Sequence, residues 1–163
     1  MAIINPPKVS ATQQKIIDTL HPVARIKFAR FIERVESETG WVVIISSAYR
    51  DYAKQAALDA KNEANADVGN SYHNYGLALD INLKKGKVQL MKVSAKSDWL
   101  NTGVVSIAKE MGLRWGGDYK NYYDPIHFDF GAKYPIETLK KLALAQFGND
   151  PLKVKGNELK LAA

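Results

Sequence analysis

From Val23 onward the apolar residues return at helical spacing: Val23, Ile26, Ala29, Ile32 and Val35, with Phe28 and Phe31 at the margins of the stripe. That period predicts an amphipathic helix packing one face on a core. Pro22 suits its first position and Gly40 closes it. Ahead of it, Ser10-Ala11-Thr12-Gln13 reads as a capping box opening a short helix that carries Ile16, Ile17 and Leu20 on one side. Trp41 to Ile45 is a continuous apolar run rich in β-branched residues, which predicts a strand buried on both faces. Alanines from Asp51 to about Ala64 predict a third helix, and 65–70 a loop. Val88 to Val93 reads as a further strand, reached through the Lys84–Lys87 turn. Thr102 is placed to cap a helix bearing Val105, Ile107, Ala108 and Met111, with Gly112 just past its end. A last helix starts at Pro135 and presents Ile136, Leu139, Leu142, Ala143 and Phe147. Residues 1–148 thus read as one domain, and 149–163, polar and lysine-bearing, as a loosely docked tail.

Two stretches alternate instead. Leu77, Leu79 and Ile81 share one face of the first, with Ala78, Asp80 and Asn82 on the other; Ile126, Phe128 and Phe130 oppose His127 and Asp129 in the second. Period-two alternation marks half-buried strands. Laid side by side, they project Asp80 and His127 from one polar face, and His73 in the preceding loop can fold back toward them. Two imidazoles and one carboxylate suit a zinc ion (Zn2+) that keeps its fourth position for water. Such an ion lowers the pKa of bound water toward neutrality.

Asp124 precedes Pro125, which biases it toward extended backbone, and stands three residues before His127, where it can act as a base across the metal. Read without the metal, Asp-Pro is an ordinary turn. Arg50 leaves a strand end near the polar face, where an arginine can hold a carboxylate or an oxyanion. Asp129 shares a strand face with His127 and is a rival base or a brace. His21 fits no such pattern and reads as structural.

Composition narrows the setting. A chain of 163 residues with 46% hydrophobic and 25% charged residues is ordinary for one globular domain. No stretch is long and apolar enough for a membrane span. The start, Met1-Ala2-Ile3-Ile4-Asn5-Pro6-Pro7, has no charged or apolar signal region and does not read as a secretory signal. Without cysteine there is no disulfide and no thiolate metal site. A net charge of +6 favours anionic polymers without choosing among them.

The string Ser71-x-His73-x-x-Gly76-x-Ala78-x-Asp80, followed by Asp124-x-x-His127-Phe128, resembles the zinc peptidases that cut peptidoglycan stem peptides. That family includes D-alanyl-D-alanine carboxypeptidases and dipeptidases and the L-alanyl-D-glutamate endopeptidases of phage endolysins. Ser46-Ser47-Ala48-Tyr49-Arg50 resembles its Ser-Gly-Tyr-Arg element, with Ala48 where glycine is usual. Gly112-Leu113-Arg114-Trp115-Gly116-Gly117-Asp118-Tyr119 resembles its Gly-Leu-x-Trp-Gly-Gly-Asp-Trp loop, with Tyr119 for the last tryptophan.

The resemblance implies an α+β fold of the hedgehog and D-Ala-D-Ala peptidase type: a small antiparallel sheet with helices on one face and zinc on the other. It implies His73, Asp80 and His127 as zinc ligands, Asp124 as catalytic base and Arg50 as oxyanion holder. Ser71, Tyr49, Trp115 and Asp118 are implied to bind substrate, with Tyr119 as a further pocket wall. The partner is then the peptidoglycan stem peptide, met by a monomer with no nucleic acid bound, and with no secretory signal the expectation is a host cytoplasm before release to the wall, or carriage in a phage particle. The L-alanyl-D-glutamate endopeptidase is the leading specificity and the D-alanyl-D-alanine carboxypeptidase the alternative. A wall-binding or virion protein with a structural zinc is the reading from another class. A metal-dependent phosphoesterase usually carries two metals and more carboxylates than these motifs supply.

Overall fold

In the computed structural model, residues 5–62 and 66–161 are described. Two helices come first, α1 (Ala11–Ile17) and α2 (Pro22–Thr39), then strand β1 (Val42–Ser47) and helix α3 (Tyr52–Lys61). A 3₁₀ turn, Tyr72–Tyr75, leads into the long strand β2 (Ala78–Lys85) and its short partner β3 (Val88–Leu90). Helices α4 (Lys96–Leu100) and α5 (Val104–Glu110), strands β4 (Arg114–Trp115) and β5 (His127–Asp129), and helix α6 (Ile136–Phe147) complete the order. No helix among the described residues is long and apolar enough to cross a membrane.

All strand pairs are antiparallel. β1 runs along one edge of β2; the opposite edge of β2 pairs with β5 at its start and β3 at its end, and β4 lies beyond β5. The register sets Leu79 opposite Phe128 and Asp80 opposite His127. Alternation therefore divides the sheet. Leu79, Ile81, Leu83 and Phe128 are fully buried on the helical side, where Phe31 of α2 meets Phe128 with ring centroids 5.1 Å apart. Asp80 and His127 occupy the other side. The expected α+β arrangement, helices on one face and the acidic and imidazole groups on the other, is the one observed.

The caps of α1 and α2 form as the sequence predicts, whereas the N-cap of α5 is Gly103, and Thr102 one residue earlier accepts from the Val104 N–H at 3.0 Å. Ser10 and Gln13 make the capping box of α1, Pro22 opens α2, and Gly40 ends it at φ +75°. Other features differ. The buried stripe of α2 is Ala24, Phe28, Ala29, Phe31, Ile32 and Val35, whereas Val23 and Ile26 are exposed. The two phenylalanines fill the space against the sheet and turn the helix toward themselves, because the largest apolar surfaces gain most from burial.

β1 is an edge strand, and only Val43 of it is fully buried, Val42 and Ile44 being exposed. Gln13 and Glu36 take up the outward backbone groups of Val43, at 3.0 and 2.9 Å. That leaves the strand half covered. β3 stops at Leu90, and α4, unforeseen in the sequence, follows with Trp99 buried.

The tail is also packed, not loose. Val154 and Leu159 are buried, the Leu159 carbonyl lies 2.6 Å from His21 Nε2, and Asn157 donates to the Thr19 carbonyl at 2.9 Å. Its low apolar content hid two anchors and a set of backbone contacts. His21 is structural, as expected: Nδ1 accepts from Val23 N–H at the start of α2. The third helix ends at Lys61 with Asn62 as its C-cap, short of the predicted Ala64; the predicted last residues and the start of the following loop fall on 63–65, outside the described residues.

Candidate metal centre

His73 rides on the 3₁₀ turn that Ser71 caps. The Ser71 hydroxyl accepts from the His73 N–H, and the Asn74 side chain returns the bond to the Ser71 N–H. Gly76 ends the turn at φ +65°, a left-handed conformation that glycine adopts without cost. The His73 Nδ1–H donates to the Ala48 carbonyl at 2.6 Å, so the lone pair is on Nε2. Nε2 is buried, has no hydrogen-bond partner, and lies 3.0 Å from Asp80 Oδ1.

His127 is oriented from its far side. Its Nε2 lies 2.8 Å from Asp129 Oδ2, and its Nδ1 lies 3.0 Å from Asp80 Oδ1. A carboxylate holding Nε2–H leaves the lone pair on Nδ1, aimed at Asp80. His73 Nε2, His127 Nδ1 and an Asp80 oxygen thus form one group, with ligand atoms all within 4.8 Å of one another. Three electron-pair donors so close repel unless something positive sits among them. That is the chemical test of fit, and this donor set meets it for a zinc-like cation.

Electrostatics say the same of the ion-free state. Burial opposes ionisation of Asp80, yet the His73 and His127 imidazoles hold its carboxyl well below the usual range. Burial would lower His127, but its bonds to Asp129 and Asp80 push it up to about 9. The proton favoured there stands where a cation would otherwise balance the carboxylates.

Asp129 is completely buried. Besides His127 it accepts both guanidinium bonds of Arg114, at 2.7 and 2.8 Å, the Tyr119 hydroxyl at 3.0 Å and the Gly131 N–H at 2.7 Å. Burial would raise its pKa, and the bonds from His127 and Arg114 bring it below the ordinary range. It is a fixed anion behind His127. Asp129 holds the position of a brace that its shared strand face with His127 allowed; Arg114, which locks it, is what the motif reading missed, because it occupies the unspecified position of the Gly-Leu-x-Trp pattern.

Asp124 stands at the rim of this cluster. Its carbonyl accepts from the His127 N–H at 3.2 Å, and its own N–H donates to the Gly116 carbonyl at 3.1 Å. A Cβ on Gly116 would lie 2.2 Å from the Asp124 carbonyl oxygen, so only glycine lets the two loops approach so closely. Asp124 Oδ1 is buried without a hydrogen-bond partner. Burial and the nearby Asp80 charge raise its pKa, a setting in which a carboxylate gains basicity.

The remaining predicted residues lie at varying distance from this cluster. Arg50 is tied to it through the backbone, its N–H donating to the His73 carbonyl at 2.9 Å, while its guanidinium bonds to Gln55 and Ser47 at 2.9 and 3.2 Å. No carboxylate among the described residues pairs with it. Tyr49 is half-buried, with its hydroxyl toward the backbone of Gly156 and Asn157, so it faces the tail, and burial raises its pKa. Trp115 is buried, donating to the Pro125 carbonyl at 2.7 Å, and so supports the loop between Asp124 and His127 from beneath. Asp118 is on the surface, paired with Lys109 at 2.8 Å and Lys96 at 3.6 Å. Tyr119 does flank the centre, its ring 6.0 Å from that of His127.

Comparison with known proteins follows the same residues. The D-alanyl-D-alanine carboxypeptidase family matches residues 64–130, the span that carries all three histidine and aspartate donors and Asp124. The peptidoglycan L-alanyl-D-glutamate endopeptidase CwlK of Bacillus subtilis (strain 168) is 33% identical over 124 residues, 68% of this chain and 72% of that protein. The L-alanyl-D-glutamate peptidase of Listeria phage A118 is 30% identical over 142 residues, 86% of this chain. The chain spans 47% of that phage protein, about half its length.

Two solved structures share the fold. The Serratia marcescens L-Ala D-Glu endopeptidase ChiX matches with TM-score 0.56 and 22% identity over 77% of this chain and 90% of that one. The vancomycin-resistance D,D-dipeptidase VanXYg matches with TM-score 0.51 and 19% identity over 82% and 57%.

Proposed function

Since this chain belongs to the D-alanyl-D-alanine carboxypeptidase family of peptidases, we propose that it is a zinc-dependent peptidase that hydrolyses peptidoglycan stem peptides at the L-alanyl-D-glutamate bond. The observation that carries the reading is the convergence of His73 Nε2, His127 Nδ1 and Asp80 on one point, beside a buried Asp124 oxygen with no partner. The specificity rests on the printed activities of the two relatives, both L-alanyl-D-glutamate enzymes. His73, Asp80 and His127 would hold the metal. Zinc bound there supplies Lewis acidity and makes water nucleophilic near neutral pH.

The rest is done by side chains. Asp124 takes the proton of the attacking water and passes it to the departing amine, so one carboxylate serves as base and then as acid. Arg50 donates to the carbonyl oxygen as negative charge gathers on it. Asp129, locked by Arg114 and Tyr119, keeps His127 in the tautomer that presents Nδ1. One chain supplies every group, so a monomer suffices for catalysis.

Mass spectrometry of purified sacculi digested with the protein tests the proposal. L-alanyl-D-glutamate cleavage leaves a new N-terminal glutamyl peptide. Release of free D-alanine would move the assignment to the carboxypeptidase, and binding without cleavage would leave only a wall-binding protein.

A further inference from the structure

We infer that Lys92 is the specificity residue of this site, receiving a substrate carboxylate on the leaving-amine side of the bond that is cut. The inference rests on the peptidase reading above and extends it to one subsite. Lys92 lies between β3 and α4 with its side chain 66% exposed, and its Nζ is 4.0 Å from Asp124 Oδ1. That is too long for a hydrogen bond but close enough to place the ammonium at the mouth of the site.

The position is built. Met91 N–H donates to Ser94 Oγ at 3.0 Å and Ser94 N–H to the Met91 carbonyl at 3.1 Å, closing a turn with Lys92 inside it. The buried Trp99 donates Nε1–H to the same Met91 carbonyl at 3.1 Å. From the opposite loop, the Tyr123 hydroxyl donates to the Ser94 carbonyl at 2.8 Å. The turn is therefore fastened both to the core and to the loop that carries Asp124.

Charge accounting leaves, among the described residues, two cations near the site without a close carboxylate: Arg50, already placed on the oxyanion, and Lys92. Lys96 and Lys109 are neutralised by Asp118, and Arg114 by Asp129. Among the described residues, Lys92 has no carboxylate nearer than Asp124, which the proposed chemistry needs as a base. An ammonium whose nearest carboxylate stands 4.0 Å away, outside hydrogen-bond reach, keeps its donors for an incoming anion.

The chemistry then fixes its side. Asp124 must hand its proton to the departing amine, so the residue that owns this amine lies against Asp124 and hence against Lys92. In an L-alanyl-D-glutamate bond that residue is a glutamate, which keeps one carboxyl free of the chain after both its peptide links are made. A C-terminal D-alanine leaving group would also carry a carboxylate at this side. Both sources offer the same anion.

Steady-state kinetics on three synthetic stem peptides separate them: one with the glutamyl carboxylate free, one with it amidated, and one ending in D-alanyl-D-alanine. The wild type is expected to favour the free glutamyl carboxylate over the amide by about tenfold in KM, the size one charge-assisted hydrogen bond supplies. Lys92→Gln should erase that preference, bringing KM for the acid peptide to that for the amide, and Lys92→Arg should restore most of it. Lysine-dependent cleavage confined to the D-alanyl-D-alanine peptide would assign the carboxylate to the chain end. An equal effect of Lys92→Gln on acid and amide peptides overturns the inference and makes Lys92 a neighbour of Asp124 only. Wild-type protein that cleaves none of the three removes the peptidase reading itself.

Discussion

At the scale of single residues, the centre divides into groups that would hold the ion and groups that would work beside it, and substitutions separate the two. Asp124→Asn keeps volume and removes basicity. It should bind zinc as the wild type does and lose about 10²–10⁴-fold in turnover. Asp80→Asn should weaken zinc binding itself, which metal titration with a competing chelator will read directly. Arg50→Ala should keep zinc and lose about 10²–10³-fold, the cost of one oxyanion donor.

Asp129 differs from both. It is fully buried and accepts from His127, Arg114, Tyr119 and Gly131. Asp129→Asn should therefore cost about 2–3 kcal/mol of stability by chemical denaturation, after allowance for the partly exposed Arg114. It should also weaken zinc affinity about 10–100-fold, because His127 loses its orienting acceptor.

Among elements, the C-terminal segment and the turn carrying His73 form one packed unit. A Cβ on Gly156 would lie 1.7 Å from the Asn74 carbonyl oxygen, so the tail backbone rests directly on the residue after His73. His21 fastens this unit, joining Val23 at the start of α2 to Leu159. Burial depresses its pKa below 6.5, the Leu159 bond opposing and Arg25 adding to the effect.

The sign follows from linkage. Above about pH 6.5 both folded and unfolded chains hold His21 neutral, and its contribution is fully present. As pH falls from there toward the folded value, the unfolded chain gains the proton first and stability is lost. Comparing the wild type with His21→Gln at pH 7.5 and pH 5.5 isolates this loss, since the other histidines are common to both proteins. The wild type should lose more stability than the variant.

For the whole molecule, the apolar core lies across the sheet from the candidate donors. Phe28, Phe31, Phe128, Leu79, Ile81, Trp99 and Trp115 are buried away from the donors. Chelator-treated protein should thus stay folded by circular dichroism while losing activity. Returning zinc at about a hundred times its Kd should stabilise it by about 2.7 kcal/mol, or about 5–10 °C in Tm for a chain of this size. Unfolding on chelation would mean that the ion is structural, which is what the wall-binding alternative requires.

Local chemistry was written in the sequence. Capping residues, Pro22, Gly40 and the two alternating stretches act through their nearest neighbours, so the helix starts, the β2 and β5 strands and the candidate donors His73, Asp80 and His127 were legible without coordinates. Facing and coverage were not. Which side of α2 is buried depends on where Phe31 finds Phe128, and whether β1 is covered depends on what lies beyond its edge. The tail looked loose because two buried side chains and a close backbone approach leave little trace in composition. The Asp129–Arg114 lock joins residues fifteen apart through the β4–β5 register, and Lys92 comes to 4.0 Å from Asp124 where Tyr123 bridges two loops. Sequence determines what a residue and its close neighbours can do; only long-range packing decides which distant groups share one low-dielectric site, where they act on each other strongly.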